Sequence, residues 1–187
     1  MITLPPPLTV IPRPLNCSRG AGYLTFNAAK PVTFPDSFAF EAGQLSAHLI
    51  EAGVSVGELA GEAARILFLH DEADPEHLGQ EGYVLQIDPN GVEIRAATAT
   101  GAFYAAQTIR QMLPAPKVPG GEVRSITLPH LLIVDRPKFP WRGMLFDVSR
   151  HFFSVKEIKG IVDLLAFHNI CFSYCVHFRF LEKVCLI

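Results

Sequence analysis

Asp147, Arg150 and His151 close a short apolar run, Gly143-Met-Leu-Phe146, and their types suit them to gripping a polar molecule. An arginine carries a rigid fork of donors, and a carboxylate three residues before it can support it. The plainer alternative is an arginine that only pairs with Asp147 across the strand end. Parallel strands buried on both faces read as near-continuous apolar runs, and in a (β/α)8 barrel the functional groups sit where such strands end. The segment Phe139-Pro-Trp-Arg-Gly-Met-Leu-Phe-Asp-Val-Ser-Arg-His-Phe-Phe153 is therefore read as a buried barrel strand with its charged cluster at the C-terminal end. Arg142 precedes the strand, at the opposite end from such a site, and reads as structural.

Other reactive residues form weaker patterns. His168, Cys171, Cys175 and His177 bring two imidazoles and two thiols together, but structural zinc sites usually pair their ligands in two knuckles separated by a longer spacer. Chance clustering is the reading adopted, with no metal. Cys17 stands apart from Cys171, Cys175 and Cys185, which is not the framework of a small disulfide-stapled domain. His48, His70, His77, Glu81 and Asp88 have no metal-binding or paired-acid spacing.

The whole chain sets bounds on the partner. With 16 basic and 18 acidic residues among 187, a net charge of −2 gives no electrostatic footprint for nucleic acid or for an anionic membrane. Hydrophobic residues make up 49% of the chain, yet Asp163 and His168 break its most apolar stretch, short of a membrane span. Met1-Ile-Thr-Leu-Pro-Pro-Pro7 lacks a basic leader, and its prolines interrupt any apolar signal helix, so a cytoplasmic location is expected. A neutral molecule is the expected partner.

The elements that must position the cluster follow from periodicity. Ser154 with Glu157 forms a capping box ahead of Val155, Ile158, Ile161, Val162 and Leu165 at helical spacing, so one β/α unit occupies residues 138–170. Upstream, residues 1–20 are Pro-rich and read as an extended wrap, with Tyr23 to Phe26 as a first strand. Leu45 to Ala52 reads as a helix stopped by Gly53, and Ala64 to Leu69 as a buried strand. Tyr83, Leu85 and Ile87 alternate with polar residues, Asn90-Gly91 is placed at the turn, and Val92, Ile94 and Ala96 alternate back. Phe103, Ala106, Ile109 and Leu113 stripe a second helix that Pro114 and Pro116 close, Lys117 to Gly121 is a loop, and Ile126 to Val134 is a further apolar segment. The expected class is α+β: an antiparallel sheet with two helices on one face over residues 1–137, then one β/α unit of an incomplete TIM barrel. Residues 171–187 form a divergent tail whose alternating Phe172, Tyr174, Val176, Phe178 and Phe180 could add a strand beside Met144 to Val148.

Phe139 to Asn169 resembles the opening of the catalytic barrel of family 20 glycoside hydrolases, the β-N-acetylhexosaminidases, whose pattern runs Phe-Pro-x-Arg-Gly-x-x-x-Asp-x-Ser-Arg-His-Phe before an amphipathic helix. Glu81-Gly-Tyr-Val-Leu-Gln-Ile87, Val92-Glu-Ile-Arg-Ala96 and Gly101 to Leu113 are similar to the zincin-like, non-catalytic domain that precedes that barrel, and Ile11-Pro-Arg-Pro14 fits its start. The resemblance implies retaining hydrolysis in which the substrate's 2-acetamido oxygen attacks C1, so no enzyme carboxylate is the nucleophile. An Asp then steadies the oxazolinium and a neighbouring Glu protonates the leaving oxygen. It places that pair on a later strand, so no catalytic acid is expected within these residues. It makes Arg150 the clamp on hydroxyls of the terminal sugar, with Asp147 and His151 as supports. N-acetylhexosamine-containing glycans are the implied partners, and no cofactor is implied.

After Ile170 the resemblance stops: a His-Trp-His segment with an acidic pair is expected, whereas Cys171-Phe-Ser-Tyr-Cys-Val-His-Phe-Arg-Phe180 stands there, with Arg179 about where the first acid belongs. A shifted reading frame, an unspliced intron or a truncated gene is the expectation. One β/α unit alone leaves Met144, Phe146, Ile158, Ile161 and Leu165 without a barrel to pack into, each forgoing about 1.5–3 kcal/mol of burial. Such a remnant is expected to self-associate or open locally, without activity of its own. The competing reading is a non-catalytic interaction or scaffold module.

Overall fold

The computed structural model describes residues 8–57, 63–72, 77–115, 125–148, 150–177 and 180–185, with side chains described as far as residue 171. The expectations for Lys117 to Gly121, Phe178 and Arg179, and for the side chains of Cys175 and His177, lie outside the described residues. In chain order the elements are β1 (Asn16–Phe26), β2 (Ala28–Ala29), α1 (Ala39–Ala52), β3 (Ser55–Val56), β4 (Arg65–His70), β5 (Tyr83–Asp88), β6 (Gly91–Ala96), α2 (Ala99–Met112), β7 (Ile126–Asp135), β8 (Gly143–Asp147), α3 (Val155–Phe167), β9 (Phe172–His177) and β10 (Phe180–Cys185). Short 3-10 turns precede α1 at Asp36–Phe38 and β5 at Gly79–Glu81.

A five-stranded sheet in the order β1-β7-β5-β6-β4 carries α1 and α2, the expected α+β layering. One strand departs from the antiparallel expectation, because β4 runs parallel to β6. Both edges of β5 are taken by β6 and β7, so β4 cannot form a hairpin with β5 and joins the far side of β6 instead. Alternation along the strands buries Leu24, Phe26, Ile66, Phe68, Leu85, Ile87, Ile94, Leu128 and Ile133 against the helices in one core.

Several elements begin or turn where the sequence reading did not put them. β1 starts at Asn16, opposite Val134 of β7, rather than at Tyr23. Pro14 is the last proline before it, so every later residue can donate to the ladder; the register shifts between Arg19 and Tyr23, where Gly22 has φ 105°. α1 starts at Ala39 rather than Leu45, since Phe38, Ala42, Leu45, Leu49 and Ala52 make one continuous buried stripe. Gly53 ends it as expected, with φ 98° and its N–H on Ile50 and Leu49 carbonyls. The hairpin turn is Pro89-Asn90 rather than Asn90-Gly91, because Asp88 pairs with Gly91. Proline supplies the φ that a turn needs at its first central position, and the Asp88 carboxylate accepts the Asn90 N–H at 2.7 Å. The left-handed freedom is needed one residue later, at Gly91 with φ 137°, where an added Cβ would collide with the Arg65 carbonyl oxygen.

β8 begins a second sheet, ordered β10-β9-β8. β9 lies parallel to β8, with Gly143 opposite Phe172 and Asp147 opposite Val176, so residues 172–177 supply the strand anticipated beside Met144 to Val148. β10 then turns back antiparallel, unlike the repeat of a β/α barrel. β8 is half-open rather than buried on both faces: Leu145 is 66% exposed, and Phe152 beyond it is 86% exposed.

Candidate functional site

The C-terminal end of β8 presents the charged cluster. Asp147 is the last residue of the strand, and Ser154 starts α3 with a complete capping box: its hydroxyl accepts the Glu157 N–H while the Glu157 carboxylate accepts the Ser154 N–H at 2.7 Å. The connection between them is thus pinned at both ends. Phe146 and Phe153 pack with ring centroids 4.7 Å apart, and His151 stands edge-on to Phe153 at 5.0 Å.

Asp147 and Arg150 meet directly. Arg150 Nε lies 2.7 Å from Asp147 Oδ2, and the Arg150 backbone N–H reaches Oδ1 at 3.3 Å. The carboxylate therefore fixes both the turn and the base of the guanidinium, while the two terminal nitrogens carry four further donors. Arg150 is 90% exposed at its side chain, so this pair adds little to stability. His151 packs against Phe153, and the bond to the guanidinium comes from Asp147. His168 and Cys171 point to different partners, the Ile11 and Arg142 carbonyl oxygens at 3.3 Å and 3.4 Å.

The opposite end of β8 holds the denser network. Arg142 Nη1 donates to Glu81 at 2.9 Å and to the Phe139 carbonyl at 2.6 Å; Nη2 donates to the Tyr104 hydroxyl at 2.8 Å, and Nε to the Asn169 carbonyl at 2.7 Å. Burial works against the Arg142 charge, but the Glu81 hydrogen bond and the neighbouring acidic groups outweigh it and raise the pKa further. Burial likewise pushes the Tyr104 hydroxyl up, so it serves as a neutral bonding group. Arg142 is thus structural, as its place before the strand implied, and it ties β8 to the end of α3 and to the sandwich.

Sequence reasoning missed two residues of this junction, Arg110 and Gln111. Arg110 makes a two-pronged bond to Asp163, and Gln111 Nε2 donates to the Phe167 carbonyl at 2.6 Å and to the Ile11 carbonyl at 2.8 Å. The available signal was the polar pair Arg110-Gln111 at the end of a helix otherwise packed into the core. A cleft of about 460 Å³ opens beside Arg110 and Asp163, and one of about 390 Å³ beside Arg142 and Tyr104. Among the described residues no group of three or more His, Cys, Asp or Glu side chains is placed to hold a metal ion.

Comparison with known proteins assigns these parts. The family model described as glycosyl hydrolase family 20, domain 2, matches residues 8–136, and that of the family 20 catalytic domain matches residues 139–172. A β-N-acetylhexosaminidase of Cellulomonas fimi is 31% identical over 174 residues, covering 88% of this chain and 33% of that protein. A β-hexosaminidase of Porphyromonas gingivalis is 45% identical over 94 residues, half of this chain and 12% of its own length. The family 20 β-N-acetylhexosaminidase structure from Streptomyces coelicolor superposes with a TM-score of 0.69 at 29% identity, covering 92% of this chain and 35% of that one. The chain spans about a third or less of the relatives it matches. It belongs to glycosyl hydrolase family 20, as that family's domain 2 followed by the opening strand and helix of its catalytic domain.

Proposed function

We propose that this chain is the N-terminal part of a β-N-acetylhexosaminidase that removes terminal non-reducing N-acetylglucosamine or N-acetylgalactosamine, and that Arg150 is the group within these residues that binds the sugar. The observation that carries this reading is the Asp147–Arg150 pair at the C-terminal end of β8, inside the segment that matches the family's catalytic domain. That end of a parallel barrel strand is where functional groups collect. Asp147 aims the guanidinium by its bond to Nε, and the remaining donors can hold adjacent sugar hydroxyls in one orientation. His151 and Phe153 stiffen the connection on which Arg150 sits.

The acid chemistry falls to later strands. In this reading the substrate's acetamido oxygen closes on C1 while an Asp-Glu pair outside these residues steadies it and protonates the leaving oxygen. The exposed Leu145, Phe152, Val155 and Leu164 mark where further barrel elements, or a second copy of the chain, would pack.

The test is hydrolysis of a chromogenic N-acetylglucosaminide by the purified chain, alone and joined to the remaining barrel of the Cellulomonas fimi relative. No turnover is expected alone. The joined protein should turn over, and Arg150→Ala should lower its kcat/KM by about a hundredfold, the loss of charge-assisted hydrogen bonds to the sugar. A well-folded joined protein indifferent to Arg150→Ala would remove the arginine from the site, and one without turnover would favour a non-catalytic scaffold.

A further inference from the structure

We propose that α2, with Glu81 in the turn before β5, is a docking template that seats the first β/α unit of the barrel on the sandwich domain and sets its direction. The proposal concerns the role of the sandwich domain and stands whether or not Arg150 binds a sugar.

Apolar burial supplies only part of the attachment. The core cluster is built from the first sheet, α1, α2 and the short connections between them, and includes no residue of β8 or α3. Of the β8–α3 unit and its exit, Leu165 and Cys171 are the buried apolar residues, and both lie outside that cluster. Polar bonds add direction to this contact, and they converge on one feature, the C-terminal end of α3.

A helix leaves its last carbonyls without partners inside the helix and carries partial negative charge there. Here the Phe167 carbonyl accepts from Gln111 of α2, and the Asn169 carbonyl accepts from Arg142. The sandwich fixes the Arg142 fork in turn, through Glu81 and the Tyr104 hydroxyl. One turn back along α3, Asp163 takes both terminal nitrogens of Arg110, whose guanidinium also lies 5.1 Å from the centroid of the Phe167 ring. Gln111 is itself held, because its Oε1 accepts the Ile11 N–H at 2.7 Å while its Nε2 reaches the Ile11 carbonyl. The surface thus fits a defined partner: a helix C-terminus with open carbonyls, an acid one turn inside and an aromatic ring beside it. Guanidinium forks and a braced amide have fixed geometry, so they set the helix's direction as well as its contact.

Hydrogen exchange of the intact 187-residue chain tests this. Amides of Ile161 to Phe167 should be protected in the unsubstituted chain. The isosteric Gln111→Glu, which sets an acceptor against the Phe167 carbonyl, and the double change Arg110→Ala with Gln111→Ala should each speed their exchange by about tenfold or more, while amides of β5 and β6 stay within about twofold. Tyr104→Phe, which keeps the ring and removes one bond to Arg142, should act in the same direction. An α3 unprotected in the unsubstituted chain, or protection unmoved in every variant, overturns the proposal. So does equal acceleration of α3 and the β5–β6 hairpin, which would mean one cooperative unit rather than a docked one.

Discussion

Arg110 and Asp163 face each other across the junction in a fork-on-fork pair, 2.9 Å from Nη1 to Oδ1 and 2.7 Å from Nη2 to Oδ2. The two residues belong to different parts of the family architecture, one to domain 2 and the other to the catalytic-domain match. Their parallel bonds fix an angle as well as a distance, which a single ammonium contact would not.

This pair makes the junction acid-sensitive. The Arg110 hydrogen bond, against a smaller opposing effect of burial, holds the Asp163 carboxyl below the usual carboxylate range. A depressed pKa contributes stability that is fully present above the unfolded value, about 3.9, and is lost as pH falls through the lower folded value. Protection of α3 amides should therefore decline below about pH 4, and Asp163→Asn should flatten that decline while weakening protection at neutral pH. A step of equal size in Asp163→Asn would assign the acid sensitivity to another carboxylate. Because Asp163 is more than half exposed, added salt should reduce the effect.

Arg142→Lys should be costly despite keeping the charge. An ammonium cannot span Glu81, Tyr104 and the carbonyls of Phe139 and Asn169 at once, so at least one half-buried partner loses its donor. The expected loss is about 1–3 kcal/mol in urea unfolding, rising toward about 3 kcal/mol or more for Arg142→Ala. An unchanged urea midpoint in both variants would show that the network is not what secures β8.

Two glycines should respond in opposite directions. Gly91→Ala puts a Cβ against the Arg65 carbonyl at a φ of 137°, forcing the β4–β6 pairing apart, and should cost about 2 kcal/mol or more. Gly43, inside α1 with nothing within 4 Å of an added Cβ, should gain about 0.5–1 kcal/mol on Gly43→Ala. Thermal melts of the two variants decide it: a Gly91→Ala midpoint equal to that of the unsubstituted chain contradicts the clash.

Arg150→Ala separates binding from folding. The side chain is 90% exposed and its bonds are to Asp147, three residues away, so the melting curve should stay within about 0.5 kcal/mol of the unsubstituted chain. A larger destabilisation would make Arg150 a structural residue first.

What the sequence revealed and what it concealed divide by distance along the chain. Ser154 and Glu157 announced the start of α3, and Gly53 the end of α1, because capping is settled within a turn of helix. The β5–β6 hairpin was legible from alternation, but its turn lay one residue earlier: Pro89 competes with Asn90-Gly91 for the central positions, and the pairing of Asp88 with Gly91 follows Pro89. The parallel placement of β4 was not legible, since it depends on both edges of β5 being occupied. Arg150 and Asp147 are three residues apart and their pairing could be read directly. Arg142 could only be placed outside the site, because its partners Glu81, Tyr104 and Asn169 lie 61, 38 and 27 residues away. Gln111 and Arg110 were given no role for the same reason, with partners 56 and 53 residues downstream.

The side chains that cap the end of α3 come earlier in the chain than the helix they cap, and a ribosome delivers them in that order. Gln111 precedes Phe167 by 56 residues, which at about 5–20 residues per second is a head start of roughly 3–11 s. A barrel is slow to close because its first and last strands must meet across the whole domain. In the proposed reading, with further barrel strands to follow, the nascent first strand and helix would spend that wait against a finished surface rather than exposed, with fewer chances to pair with another chain.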